Sequence, residues 1–370
     1  MSRYHGLILF NLLTILIFTG VSSQAQQPAP QEGDFVIHNF RFKSGETMPE
    51  LKLHYMTMGQ PAHNAQGRVS NAVMILHSTG DSGRQFLVPR YAGALFGPGQ
   101  LLDANRYYII LPDSIGAGGS SKPSDGLHMR FPKYDFDDMV TSEYRLATEG
   151  LSVNHLRLII GTSMGCMVSW VWGETYPNFM DALMPMACLP VEIVGRNRIY
   201  RLMQVEAIRS DPEWKRGEYT VQPSAGIRMF TYLRLLAAGM PPLQMQKSFP
   251  TPEATDKYFE NFVSGYIDNY YKTFLIPLDA NNELYQVDAS RNYNPSSLLG
   301  KIDAQVMFIN SADDFIDPPE LGIAEREIKK VKNGRFVLLP ISEQTHGHTS
   351  HTWPELWKQY LDDLLKSSSR

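Results

Sequence analysis

The sequence predicts an α/β protein, a mostly parallel central sheet flanked by helices, and three observations predict it. Short apolar runs recur as NAVMILH (71–77), RYYIILPD (106–113), LRLIIG (156–161), ALMPMAC (182–188), QVMFIN (305–310) and RFVLLP (335–340). They are continuous, whereas a strand wetted on one face alternates, so they read as strands covered by helices on both sides. Helical patterns separate them from about 70 to 188 and again from about 303 to the end. The alternation breaks once, between 190 and 298, and then resumes, as an insertion into one sheet would make it.

Taken in chain order, residues 1–25 read as a secretory signal peptide. Arg3 and His5 precede the apolar run Leu7–Val21, and Ser23-Gln24-Ala25 offers small residues for cleavage after Ala25. An uncleaved signal anchor is the alternative; a membrane span is disfavoured because the run is shorter than the ~20 residues a bilayer needs. The mature protein is therefore expected to be exported, to a periplasm or outside the cell. Residues 26–189 form the first part of the core, opening with a polar leader and two strands, DFVIHNFRF and LKLHYMTMG. Helices are expected over about 135–150, 165–177, 318–331 and 353–366. Residues 190–298, rich in Met, Tyr, Leu and Arg at helical spacing, read as a helical cap, and 299–370 complete the sheet.

Hydrophobic residues make up 43% of the chain and charged ones 19%, with a net charge of −4. That balance gives no reason to expect nucleic acid or an anionic membrane surface as partner. Two cysteines, Cys166 and Cys188, rule out a disulfide-built scaffold. Each sits among apolar residues and is expected to be a buried free thiol, with a single bridge as the alternative. The cap aromatics Tyr266, Tyr270, Tyr271 and Phe274 suit a lined pocket or a homodimer face equally well.

Chemistry is expected where parallel strands end. LRLII runs into Gly161-Thr162-Ser163-Met164-Gly165 and then a helical stretch, the strand–turn–helix setting that lifts a serine hydroxyl out of a sharp turn. The next strand end, SADDFIDPP, offers Asp313, Asp314 and Asp317, and the last, ISEQTHGHTSH, offers His346, His348 and His351. A serine needs a base, and the base an orienting acid. The order Ser…Asp…His is that of the α/β-hydrolase fold. The backbone N–H of Met164, directly after the serine, is the expected first donor of an oxyanion hole. A zinc site built on HGHTSH is the rival reading; it leaves the serine unexplained. DSIGAGGSSK (113–122) lacks the endings of phosphate- and dinucleotide-binding loops and reads as a tight crevice loop.

FPKYDFDDMV with LRLIIGTSMGCM, EAIRSDPEW, IRMFTY, LDANNELY, DDFIDPP and HGHTSH together resemble the homoserine O-acetyltransferase family, over most of the chain after residue 35. The resemblance implies Asp314 as acid, His348 as base, the Thr79 amide as second oxyanion donor, and Arg228, with Tyr232, as substrate-binding residues. His77 reads as a brace for the Thr79 loop. The resemblance also implies a small-molecule acyl substrate and neither cofactor nor metal. Two departures stand out. The family's Asp after its catalytic histidine is Thr349 here, and its G-G-S-M-G-G elbow is G-T-S-M-G-C. With export added, these favour a hydrolase of small esters or amides acting through an acyl-serine. The alternatives are acyl transfer to a homoserine-like alcohol and a catalytically silent binding protein.

Overall fold

The computed structural model describes residues 28–267 and 278–368, with the side chains of 265–267 left undescribed. The expected signal peptide, Tyr270, Tyr271, Phe274 and the side chain of Tyr266 lie outside the described residues. No helix among those described is long and apolar enough to cross a membrane.

Eight strands build one sheet: β1 (Gln31–Arg41), β2 (Thr47–Met58), β3 (Ala72–Leu76), β4 (Tyr108–Pro112), β5 (Leu158–Thr162), β6 (Ala182–Met186), β7 (Gln305–Ser311) and β8 (Gly334–Leu339). Their order is β1-β2-β4-β3-β5-β6-β7-β8. The β1–β2 hairpin joins antiparallel to β4, and every pair beyond it is parallel. All eight predicted strands are present. β3 to β6 are buried at every position. Successive side chains enter opposite cores, as a strand's two-residue period requires. Met74, Leu76, Ile159 and Trp170 pack on one face, Val73, Ile75, Ile160 and Trp357 on the other. Each such side chain contributes roughly 1.5–3 kcal/mol on burial. The edge strand β8 departs in part from the doubly covered reading: Leu338 is exposed between buried Val337 and Leu339, although Phe336 on the same face packs against Phe308.

The described helices are α1 (Pro89–Leu95), α2 (Phe136–Arg145), α3 (Met164–Thr175), α4 (Gly195–Arg209), α5 (Ser224–Ala238), α6 (Pro242–Ser248), α7 (Pro252–Asn261), α8 (Ala280–Asp288), α9 (Ile323–Glu327) and α10 (Lys358–Ser367). α2 starts from a reciprocal cap, in which Asp135 accepts from the Asp138 amide and Asp138 from that of Asp135. The helix expected over 318–331 is broken at Gly322, whose φ of 61° lies in the left-handed region, leaving the short α9. Helix α1 was absent from the sequence reading, its seven residues being too short for a periodic pattern. Helices α4 to α8, inserted between β6 and β7, form the cap with a small core around Ile208, Phe230 and Leu284. The cap is tied down where the Tyr285 hydroxyl donates to the Phe131 carbonyl at 2.6 Å.

Cys166 and Cys188 form a disulfide, with Cα atoms 5.9 Å apart, so the expectation of two free thiols is corrected. The reason lies in topology. β5 and β6 are neighbours, and Cys166, in the first turn of α3, and Cys188, two residues past β6, leave the same end of the sheet together.

Candidate active site

The turn at Ser163 is compressed from both sides. Its φ is 53° and ψ −108°, a backbone state that costs on the order of 1–3 kcal/mol outside glycine. A Cβ on Gly161 would lie 2.2 Å from the Gly165 carbonyl oxygen, and one on Gly165 would lie 2.2 Å from that of Leu76. Both glycines are thus demanded by close approach of helix α3 to the strands. Hydrogen bonds from the Ser163 amide to the Met186 carbonyl (2.9 Å) and from Gly165 to His77 (3.0 Å) fix the turn.

Above the turn, three distant side chains meet. The Ser163 Oγ lies 2.9 Å from His348 Nε2. His348 Nδ1 lies 2.9 Å from Asp314 Oδ2 and 3.1 Å from its Oδ1. Asp314 also accepts from the amides of Ile316 (2.8 Å) and Asp317 (3.1 Å). Burial opposes charge on both partners, yet each overcomes it through the other. His348 is raised above the ordinary histidine value by the Asp314 charge and hydrogen bond, and Asp314 is held below the usual carboxylate range. The pair therefore places a proton on Nδ1 facing the carboxylate, and leaves Nε2 to accept from the serine.

The other predicted residues of these loops have separate partners. Asp313 accepts from the Thr345 hydroxyl at 2.7 Å and so pins the histidine loop. His346 stacks on Trp353, ring centroids 4.1 Å apart. His351 is buried beside His348 and pushed down to about 3 by that burial, so it stays neutral. Asp314, Asp317 and His348 present one ligand atom each within 4.8 Å of one another. Both His348 nitrogens already have hydrogen-bond partners, so a metal there would have to displace Ser163 or Asp314. The zinc reading of HGHTSH does not fit this arrangement.

Among the described residues the amides of Thr79 and Met164 donate to no acceptor, as donors reserved for a ligand would. Thr79 lines a cavity of about 880 Å³ together with Ser163 and His348 from the core and Arg201, Phe230 and Arg234 from the cap. His77 acts as the expected brace: Nδ1 donates to the Ser78 carbonyl (2.8 Å) and Nε2 accepts from the Ser114 amide (3.0 Å). In the 113–122 loop, Asp113 accepts from the amides of Gly83 and Gly119, both at 2.8 Å, which knots the crevice loop.

Residues 71–340 match the model of the alpha/beta hydrolase fold family. The chain belongs to the α/β-hydrolase family. Among its relatives, a homoserine O-acetyltransferase of Moorella thermoacetica is 30% identical over 309 residues, 75% of this chain and 80% of the relative. An acetylester hydrolase from Corynebacterium glutamicum shares the fold at a TM-score of 0.77 and 18% identity, covering 91% of this chain and 96% of that one. A homoserine O-acetyltransferase from Bacillus anthracis does so at 0.75 and 20%, covering 91% and 97%. This α/β-hydrolase is thus an enzyme of the homoserine O-acetyltransferase-like group.

Two residues that the resemblance implies for substrate binding lie away from the cavity in this α/β-hydrolase. Arg228 is exposed and lies outside the cavity wall. Tyr232 is half-buried and also outside it, its ring 5.4 Å from Phe259. The inward face of α5 carries Ile227, Phe230 and Arg234, and six residues at about 100° each turn Arg228 roughly 120° away from Arg234. Sequence reasoning also missed the cap residues that hold the Thr79 loop. Arg234 Nη2 donates to the Thr79 carbonyl at 3.0 Å, and the Gly80 amide donates to Gln286 Oε1 at 2.7 Å. No local pattern marks them, since Gln286 is 206 residues from its partner.

Proposed function

We propose that this enzyme is an exported serine hydrolase of small esters or amides. The observation that carries the reading is the unbroken run of hydrogen bonds from Asp314 through His348 to Ser163, opening into the cavity that the Thr79 loop also lines. In this scheme His348 Nε2 takes the Ser163 proton as Oγ forms its bond to the substrate acyl carbon. The oxygen of the tetrahedral intermediate takes the negative charge and is met by the Thr79 and Met164 amides. Collapse breaks the bond to the leaving oxygen or nitrogen, which receives the proton from Nε2. Water then repeats the sequence on the acyl-serine and releases the acid. His348 Nδ1 keeps its proton throughout, held toward the Asp314 carboxylate.

Hydrolysis is preferred over transfer because the site lacks the acid that follows the histidine in the resembled family. Thr349 stands there, and its hydroxyl is engaged by the His346 carbonyl at 2.8 Å. Export belongs to the same proposal. The Cys166–Cys188 bond suits an oxidising compartment, where the cytoplasmic acyl donor acetyl-CoA is missing. Acyl transfer to an alcohol is the second reading, favoured by the identity to the Moorella acetyltransferase.

Two assays test this. A fluorophosphonate probe should label the wild type and not Ser163→Ala; equal labelling of both refutes the nucleophile. Turnover of p-nitrophenyl acetate should proceed without homoserine or acetyl-CoA; strict dependence on an acceptor alcohol would replace the hydrolase reading with the transferase one.

A further inference from the structure

Asp317 lies three residues beyond Asp314 on the same loop, and the scheme above leaves it without a role. Its carboxyl is buried, with Oδ2 at 4.0 Å from His348 Nδ1, against 2.9 Å for Asp314. That gap is too wide for a hydrogen bond and short enough for charge to act strongly through a protein interior. The side chain is held in place on several sides. Its own amide donates to Asp314 Oδ1, so one turn carries both acids. Asn197 Nδ2, on cap helix α4, donates to its Oδ1 at 3.2 Å, and Asn310 Nδ2 donates to its carbonyl at 2.8 Å. The charged and titratable groups facing it are Asp314 from the same loop, His348 from the histidine loop, Arg201 from α4 and the buried phenol of Tyr293. Arg201, one turn along α4 from Asn197, bonds Asn197 Oδ1 and Ser290 Oγ, both at 3.0 Å.

The His348 ring therefore has two carboxyl groups on its Nδ1 side, one bonding it and one standing off. We propose that Asp317 is a positioning residue of the same relay: its ionised carboxylate steadies the imidazolium that forms when His348 takes the Ser163 proton, and so sets the pH below which the ring can no longer act as a base. The inference rests on the reading of Ser163 and His348 given above. An ionised Asp317 favours the protonated ring, whereas a neutral side chain there releases the ring's proton more readily. Burial, then the neighbouring Asp314 charge, push Asp317 up to about 7, so its own charge is gained and lost in the range where the ring titrates. The two groups then exchange protons as a unit.

The test needs no knowledge of the substrate. The rate at which a fluorophosphonate labels Ser163 in the full chain is followed against pH, for the wild type, Asp317→Asn and Asp317→Ser. An asparagine can still accept the Asn197 hydrogen bond, and the serine variant serves if the first does not fold. The proposal expects the midpoint of the acid limb to fall by about one pH unit in either variant, so that they outpace the wild type in acid. A midpoint that stays in place or rises overturns it, because a purely structural role changes rate without moving the midpoint downward. A wild type unlabelled at Ser163 at every pH overturns the underlying reading instead. Labelling with an unmoved midpoint overturns only the role of Asp317.

Discussion

The sheet end and the cap face each other across one cavity, yet they hold their residues by different means. At the sheet end, Ser163 and the acid loop follow directly from β5 and β7, and the histidine loop lies a few residues past β8; β5 is buried throughout and β7 at every position after Gln305. Backbone hydrogen bonds and close packing hold them. In the cap, Arg201, Arg234 and Gln286 reach their positions through helix rotation and side-chain contacts across long stretches of chain. A rigid scaffold thus carries the reacting groups, while the inserted helices shape and brace the space above them. Chemistry should therefore fail completely when the first region is damaged and only partly when the second is.

The largest loss is expected from His348→Ala, which removes the base: p-nitrophenyl acetate turnover should fall by about 10⁴-fold or more, with the thermal midpoint little changed. Gly165→Ala should fail differently, by driving a Cβ against the Leu76 carbonyl; low yield of folded protein is the outcome to check. In the cap, Arg234→Met frees the Thr79 carbonyl, and kcat should drop by about 10- to 100-fold with KM nearly constant. A rise in KM at unchanged kcat would make Arg234 a substrate-binding residue instead. Within the sheet end, Cys166→Ala with Cys188→Ala opens a loop of 22 residues and should lower stability by about 3 kcal/mol in denaturant titration. The smallest effect is expected for Arg228→Ala, within about twofold of wild type, as for other exposed positions.

A pH profile sharpens the contrast further. Because Asp314 raises His348, kcat/KM should climb with pH through a midpoint above the ordinary histidine value and level off beyond it. Asp314→Asn removes that support, so the midpoint should fall along with the rate.

What was legible in the sequence follows the same division. Continuous apolar runs revealed the six strands β3 to β8, because a strand buried on both faces needs no partner to be recognised. Ser163 was legible because glycines at 161 and 165 are required locally by the turn, and the acid and histidine loops because loops after strands converge at one edge of a sheet, while the choice of Asp314 and His348 within them came from the resemblance. The exposure of Leu338 on β8 was not legible, since RFVLLP looks the same whether that position is covered or not. The disulfide was missed because its cause is the adjacency of β5 and β6, a property of the assembled sheet. Arg228 came from a short resembled segment, where an offset of a few residues turns a helix face away, and nothing in the sequence marked Arg234. The closeness of Asp317 to His348 depends on the exact turn of the acid loop, which no spacing rule supplies.

The central claim is that Ser163, activated by His348, carries the acyl group. Acid-quenching the enzyme during the first turnovers of p-nitrophenyl acetate and mapping the modified peptide by mass spectrometry tests it most directly. The account predicts one acetyl group on Ser163, accumulating within the burst of p-nitrophenol and absent from Ser163→Ala. Turnover without that adduct, or with the acetyl group on another residue, would contradict it.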